Sequence, residues 1–181
     1  MRYYIIEQDK MFTNAPHILN WFGKIDVEKM KMGSYSLLKE SYLLKIRGNA
    51  DVDFIDVISE PFFLVTNMVR FVMQAYEPNL TFTDCNLFHG EQKAFGEYYI
   101  PHFAEYNCLT EKSQVNRDRS VVEHAEIDLH KIMDKSVFVL EGLGKKHVVV
   151  RDDLLESLLR RGLRGAKVRK VNTIHEVMLF E

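Results

Sequence analysis

Phe62-Phe63-Leu64-Val65-Thr66-Asn67-Met68-Val69-Arg70-Phe71-Val72-Met73 and, about 85 residues later, His147-Val148-Val149-Val150-Arg151-Asp152-Asp153-Leu154-Leu155-Glu156-Ser157-Leu158-Leu159 repeat one pattern. Each starts as an apolar run suited to a strand and turns into a short stretch with helical spacing. Sliding one onto the other pairs Val65 with Val150, Val69 with Leu154 and Met73 with Leu158. A second extended run follows each: Leu80-Thr81-Phe82-Thr83 after Glu77-Pro78-Asn79, and Ala166-Lys167-Val168-Arg169 after Arg161-Gly162-Leu163-Arg164-Gly165. No polar residue is repeated at a matching position, since Thr66 faces Arg151 and Met68 faces Asp153. What recurs is the apolar stripe, so the repeat speaks to scaffold.

The helical halves carry their own start and stop signals. Thr66 or Asn67 sits where the first helix needs an N-cap, with a side-chain oxygen able to accept from the free N–H groups of the first turn. Val69, Val72, Met73 and Tyr76 fall on one face, and Pro78 prevents continuation. In the second unit Asp152 is the cap candidate and Leu154, Leu155, Leu158 and Leu159 make the stripe. Arg160 and Arg161 suit the negative end of the helix dipole, and Gly162 and Gly165 mark the exit.

Outside these units extended segments dominate. Tyr3–Ile6, Tyr42–Ile46, Phe54–Ile58, Leu80–Phe88, Ala125–Leu129, Val137–Leu140, Val168–Val171 and Val177–Phe180 read as strands, and Tyr98–Leu109 reads as one long strand with an edge or bulge at Pro101. Residues 9–36 read as an irregular arm in which Trp21 anchors the chain to the core. The polar stretch Glu111–Ser120 reads as an exposed, mobile loop. The expected fold class is α+β: a mostly antiparallel or mixed sheet with few short helices packed on it, built from two similar strand-helix-strand units. The expected organisation is an N-terminal strand and arm over 1–53 and a main α+β domain over 54–181, forming one compact unit.

Composition narrows the function classes. A chain of 181 residues with 46% hydrophobic and 28% charged residues is that of a globular protein with a sizeable core. A net charge of -2 argues against a general nucleic-acid binder. The charge is uneven: 91–135 hold six Lys/Arg and nine Asp/Glu, and 136–181 hold nine and six, a local -3 against +3. Met1–Glu7 meets charge too early for a signal peptide, and no run approaches a membrane span. The reading is cytoplasmic, with no membrane contact. Cys85 and Cys108 form no CxxC pair and read as buried free thiols.

Chemistry-bearing constellations are sparse. His124-Ala125-Glu126-Ile127-Asp128-Leu129-His130 puts two imidazoles and two carboxylates on the even positions of one strand, a face that could hold zinc or iron. The plainer reading is a solvated strand face over buried Ala125, Ile127 and Leu129. Cys85, His89, His102 and Cys108 converge only if their strands pair. No G-x-S-x-G, Walker A or G-x-G-x-x-G motif occurs, and Gly142-Leu143-Gly144 lacks the rest of a phosphate loop. The basic stretch Arg160–Lys170 reads as a solvated helix end and strand edge, where cations discourage edge pairing.

Pro61–Thr66 with its helix resembles a recurring element of apolar run, Val-Ser and helix. Tyr98-Tyr99-Ile100-Pro101-His102-Phe103, continuing through Cys108-Leu109-Thr110-Glu111-Lys112-Ser113, resembles an aromatic strand running into a Leu-Asp-x-Glu-Lys-Ser turn. Val137–Leu140, Val148–Leu155 and Gly162-Leu163-Arg164-Gly165 resemble the C-terminal element of the same family. In order, over roughly 54–172, these are similar to a bacterial immunity-protein family of polymorphic toxin systems, once catalogued as a domain of unknown function. Thr66 and Arg151 stand where that pattern usually shows serine, and Thr110 where it often shows aspartate.

The resemblance implies a cytoplasmic, non-enzymatic protein that neutralises a cognate toxin by occluding its surface, with no cofactor and no catalytic residue. Against a cationic toxin site, the face carrying Glu123, Glu126 and Asp128 is the expected contact. Two other readings are a small metal-dependent hydrolase using the His124–His130 face and a module that self-associates through a sheet edge.

Overall fold

The computed structural model describes residues 1–31, 34–47, 51–91 and 93–174. The first part of the chain forms β1 (Tyr3–Gln8), β2 (His17–Ile18), α1 (Val27–Lys31), a 3-10 turn at Tyr35–Leu37, β3 (Ser41–Arg47) and β4 (Val57–Ile58). Next come β5 (Leu64–Thr66), α2 (Asn67–Tyr76), β6 (Phe82–His89), β7 (Ala94–Gly96), β8 (Tyr98–Pro101) and β9 (Glu105–Tyr106). The last part forms β10 (Gln114–Val115), β11 (Val122–His124), β12 (Glu126–Asp128), a 3-10 turn at Leu129–Lys131, β13 (Val137–Leu140), β14 (Val148–Arg151), α3 (Asp152–Arg160) and β15 (Ala166–Ile174). The fold is α+β, mostly sheet with few short helices.

Two mixed sheets carry the molecule. One runs β2-β3-β6-β8-β5-β4, with β7 also paired to β6; the other runs β12-β15-β1-β14-β13-β9. In the first, β4, β5, β8 and β6 pair antiparallel in turn, and β3 joins β6 in parallel. In the second, β13, β14, β1 and β15 pair antiparallel in turn, and β12 joins β15 in parallel. The N-terminal 53 residues therefore supply β1, between β14 and β15, as well as β3 of the other sheet.

The continuous apolar runs are explained by three cores. Val148 and Val150 of β14, Val137 and Val139 of β13 and Ile6 of β1 face the two helices, together with Val57, Val65, Val69, Met73, Leu154 and Leu158. The alternate residues Val149, Phe138, Leu140, Tyr3 and Ile5 pack on the opposite side of the same sheet with Ile127 and Cys108. A strand buried on both faces loses the polar half of its alternation. The first sheet has its own outer core, where Leu44, Leu64, Cys85, Leu87 and Ile100 meet Ile18, Ile25 and Met30 of the arm. β3 keeps the half-buried pattern, with Tyr42, Leu44 and Ile46 inside and Ser41, Leu43, Lys45 and Arg47 outside.

Several expectations are corrected. The segment Tyr98–Leu109 is two strands: β8 ends at Pro101, paired with Phe82, and the chain crosses to the other sheet, where β9 runs parallel to β13. Phe54–Ile58 is strand only at Val57–Ile58, and the arm contains β2 and α1. The 111–120 segment carries β10, which pairs with β11 and is braced by Asn116 and Asp118 through Ser120. Neither expected N-cap side chain caps as foreseen. Thr66 Oγ1 donates instead to Asp56 Oδ1 at 2.7 Å, and Arg151 holds the cap position before Asp152 with no side-chain cap bond. Leu159 stays 53% exposed, so the stripe of α3 is Leu154, Leu155 and Leu158. The expected strand at Val177–Phe180 lies outside the described residues.

Candidate functional site

An open cleft of about 900 Å³ lies where the N-terminal arm meets the second sheet. The end of β1 forms its floor with Ile6, Glu7 and Gln8. Phe12, Ala15, Pro16, Val27 and Met30 of the arm give an apolar wall, and Ser120–Glu123, Lys145–His147 and Arg169 give a polar one. The rim is cross-linked: Gln8 N donates to Ser59 Oγ at 2.7 Å, and Lys145 Nζ donates to Glu60 Oε1 at 2.9 Å. Arg169 donates to the backbone carbonyls of Val122 and Glu123, holding the polar wall by its main chain. His147 Nε2 lies 3.1 Å from the Ser120 carbonyl, so that nitrogen carries the hydrogen, and burial holds its pKa below the usual histidine range.

A charged cluster adjoins this cleft. Lys146 Nζ donates to Tyr35 Oη and sits 4.7 Å from the Tyr35 ring centre, a cation-π contact. Tyr35 stacks on His102, with centroids 4.6 Å apart and planes 11° off parallel. The two nitrogens of His102 are 2.9 and 2.8 Å from the hydroxyls of Thr81 and Thr83. Glu105 Oε1 lies 3.6 Å from Lys146 Nζ, within ionic reach but beyond hydrogen-bond distance, and this buried oxygen has no hydrogen-bond partner. Burial outweighs the carboxylate and holds the Lys146 amine down to about 8, while burial raises Glu105 and Tyr35.

The chain matches no family model and no curated protein.

The residues expected at a partner surface are separated by the fold. Glu123 is exposed and lines the cleft, whereas Glu126 and Asp128 are 9% and 4% exposed. The even-numbered face does not persist because the chain changes partners at Ala125: β11 pairs with β10 and β12 pairs with β15. Glu126 Oε1 accepts from Thr110 Oγ1 at 2.7 Å, and Asp128 Oδ1 accepts from the His130 amide at 3.0 Å. The Glu126 carboxylate thus braces the Thr110 side chain, and that of Asp128 braces the backbone of the following turn. His124 turns outward beside Asn172, with 3.3 Å between Nε2 and Nδ2. Among the described residues, no group of three or more His, Cys, Asp or Glu is placed to hold a metal ion. Cys85 and Cys108 are free and buried in different cores, so the four-residue Cys/His convergence does not form.

Sequence reading missed the Lys146 cluster. Tyr35, His102, Glu105 and Lys146 come from the arm, the β8–β9 crossing, β9 and the turn before β14, with no spacing to connect them. No helix among the described residues is long and apolar enough to cross a membrane.

Proposed function

We propose that the chain is a non-enzymatic immunity protein of a polymorphic toxin system, acting in the cytoplasm by covering the surface or active site of a cognate bacterial toxin. The resemblance over 54–172 motivates this reading, and the open cleft of about 900 Å³ is the structural feature that supports it. The cleft combines an apolar wall with a charged rim, the mixture that gives protein contacts both affinity and partner choice. Its floor belongs to β1, a central strand, so the site rests on a rigid base. Of the three carboxylates expected at the contact, Glu123 is the one available to a partner, while Glu126 and Asp128 are buried and bonded to Thr110 and the His130 amide.

Co-expression with each toxin encoded beside the gene tests the proposal. Rescue of growth and a stable complex are expected, and Glu123→Lys should weaken that complex while leaving the fold intact. Absence of both rescue and complex with every neighbouring toxin rejects it. A strict dependence of molecular mass on concentration, with no toxin binding, would favour the self-associating reading instead.

We further infer that β4-β5-α2-β6-β8 and β13-β14-α3-β15-β1 are two copies of one unit. The same order of pairing senses supports this, with β1 in the place that β8 takes in the first copy. A circular permutant that links Glu181 to Met1 and opens the chain between Lys10 and Thr13 makes each unit contiguous, and it is expected to fold with wild-type cooperativity.

A further inference from the structure

Lys146 stands apart from the other lysines near the cleft. Lys146 is among the residues that line the cleft, its side chain is only 13% exposed, and its amine is set between a phenol and a carboxylate oxygen that no hydrogen bond satisfies. Lys145, its neighbour in sequence, is 59% exposed and paired with Glu60. The surroundings of Lys146 combine a nucleophile, a proton acceptor and a proton donor in one cluster. A buried amine with a depressed pKa is the form of lysine that attacks carbonyl carbon, because it spends part of its time neutral at ordinary pH.

We propose that Lys146 is a carbonyl-capturing amine, which takes small aldehydes or α-oxo acids entering by the cleft and holds them as an imine. The Nζ lone pair forms the C–N bond while the C=O electron pair moves to oxygen. Glu105 Oε1 takes a proton from the nitrogen and passes it to the alkoxide, and the Tyr35 phenol, in contact with Nζ, supplies a second proton to the departing hydroxyl. Water leaves as the nitrogen lone pair closes the C=N bond of a protonated imine, and Tyr35 recovers its proton from solvent. The carbonyl compound is the only co-reactant, and no oxidant or reductant is consumed. Glu105 and Tyr35 are positioning and proton-transfer residues for this step. The proposal goes beyond toxin binding and does not depend on it.

The test treats the whole protein with glyoxylate at pH 7.5, traps imines with cyanoborohydride as the hydride donor, and locates the added mass by fragmentation. Lys146 is expected to label roughly tenfold faster than Lys145: an amine near 8 is neutral on the order of a hundred times more often than an ordinary lysine, and burial slows the encounter. Lys146→Arg should abolish that label, and Tyr35→Phe and Glu105→Gln should slow it and change its pH profile. Equal labelling of Lys145 and Lys146 in the wild-type protein overturns the proposal. So does full labelling of Lys146→Arg at the wild-type rate. The comparison of the two wild-type lysines stands even where a variant fails to fold.

Discussion

Tyr76 and Ser157 meet hydroxyl to hydroxyl at 2.6 Å, and the same tyrosine donates to the Asp153 carbonyl at 3.0 Å. These residues sit on α2 and α3, so one phenol at the end of the first helix ties down the second. The contact lies at the margin of the core that both helices share. Tyr76→Phe keeps the ring and removes the hydroxyl, and should cost about 1 kcal/mol in urea unfolding. Ser157→Ala in the Tyr76→Phe background should add less than it does alone, which a double-mutant cycle measures directly.

Gly165 and Gly162 both adopt positive φ, at 73° and 76°, but only one is crowded. A Cβ on Gly165 would lie 2.3 Å from Ile55 Cβ, whereas one on Gly162 meets nothing within 4 Å. Gly162→Ala should therefore cost about 1 kcal/mol of left-handed strain. Gly165→Ala adds overpacking against Ile55 and should cost about 3 kcal/mol. Equal losses in chemical denaturation would remove the role assigned to the Ile55 contact.

The Lys146–Glu105 pair gives a signed pH dependence. The folded state holds Lys146 near 8, and the unfolded chain returns it to the ordinary value of about 10.4. Between those values the unfolded chain carries more protons, so the lysine's contribution to stability rises with pH through this window. Below pH 8 the buried charge is at its most costly. The urea midpoint of the wild-type protein should gain between pH 8 and 9.5 relative to Lys146→Met/Glu105→Gln, which lacks the titrating amine. The double replacement leaves no lone buried charge, so its stability at pH 7 should match or exceed wild type. Above about pH 10 the buried phenols of Tyr35 and Tyr98, raised by desolvation, begin to oppose the trend.

Cys85 and Cys108 are fully buried, and desolvation pushes both thiols up to about 12. Both should resist a disulfide exchange reagent at pH 8 in the native protein and react completely in denaturant. The native rate should follow the unfolding equilibrium as urea is raised. A fast native phase would show that one thiol is accessible without unfolding.

Helices α2 and α3 were legible because their apolar stripes are local. Val69, Val72 and Met73 of α2 and Leu154, Leu155 and Leu158 of α3 are buried as their spacing predicts, and helix periodicity needs only neighbouring residues. Leu159 was misassigned because the width of a stripe depends on the surface that covers it. Strand existence was also legible for β1, β3, β6, β13 and β14, where apolar residues are dense. Strand continuity was less so: Tyr98–Leu109 looks uniform in composition, yet the chain leaves one sheet after Pro101 and enters the other at Glu105.

The site was much less legible. Alternation correctly puts Glu126 and Asp128 on the same side of a strand, but it says nothing about which side is covered. The buried carboxylates are met by the Thr110 hydroxyl and the His130 amide, and Ser113 bonds the Glu126 main chain. The apolar stripes, the turn glycines and the sheet-rich fold class are all readable from the residues in order, because each is set by interactions within a few residues. Long-range packing is what sets β1 between β14 and β15, puts Glu123 on the cleft lining, and brings Tyr35, His102, Glu105 and Lys146 into one cluster. Those outcomes depend on pairing and desolvation between segments as distant as β1 and β15, where Tyr3 pairs with Val171, and local pattern carries no record of which distant segment will cover a given face.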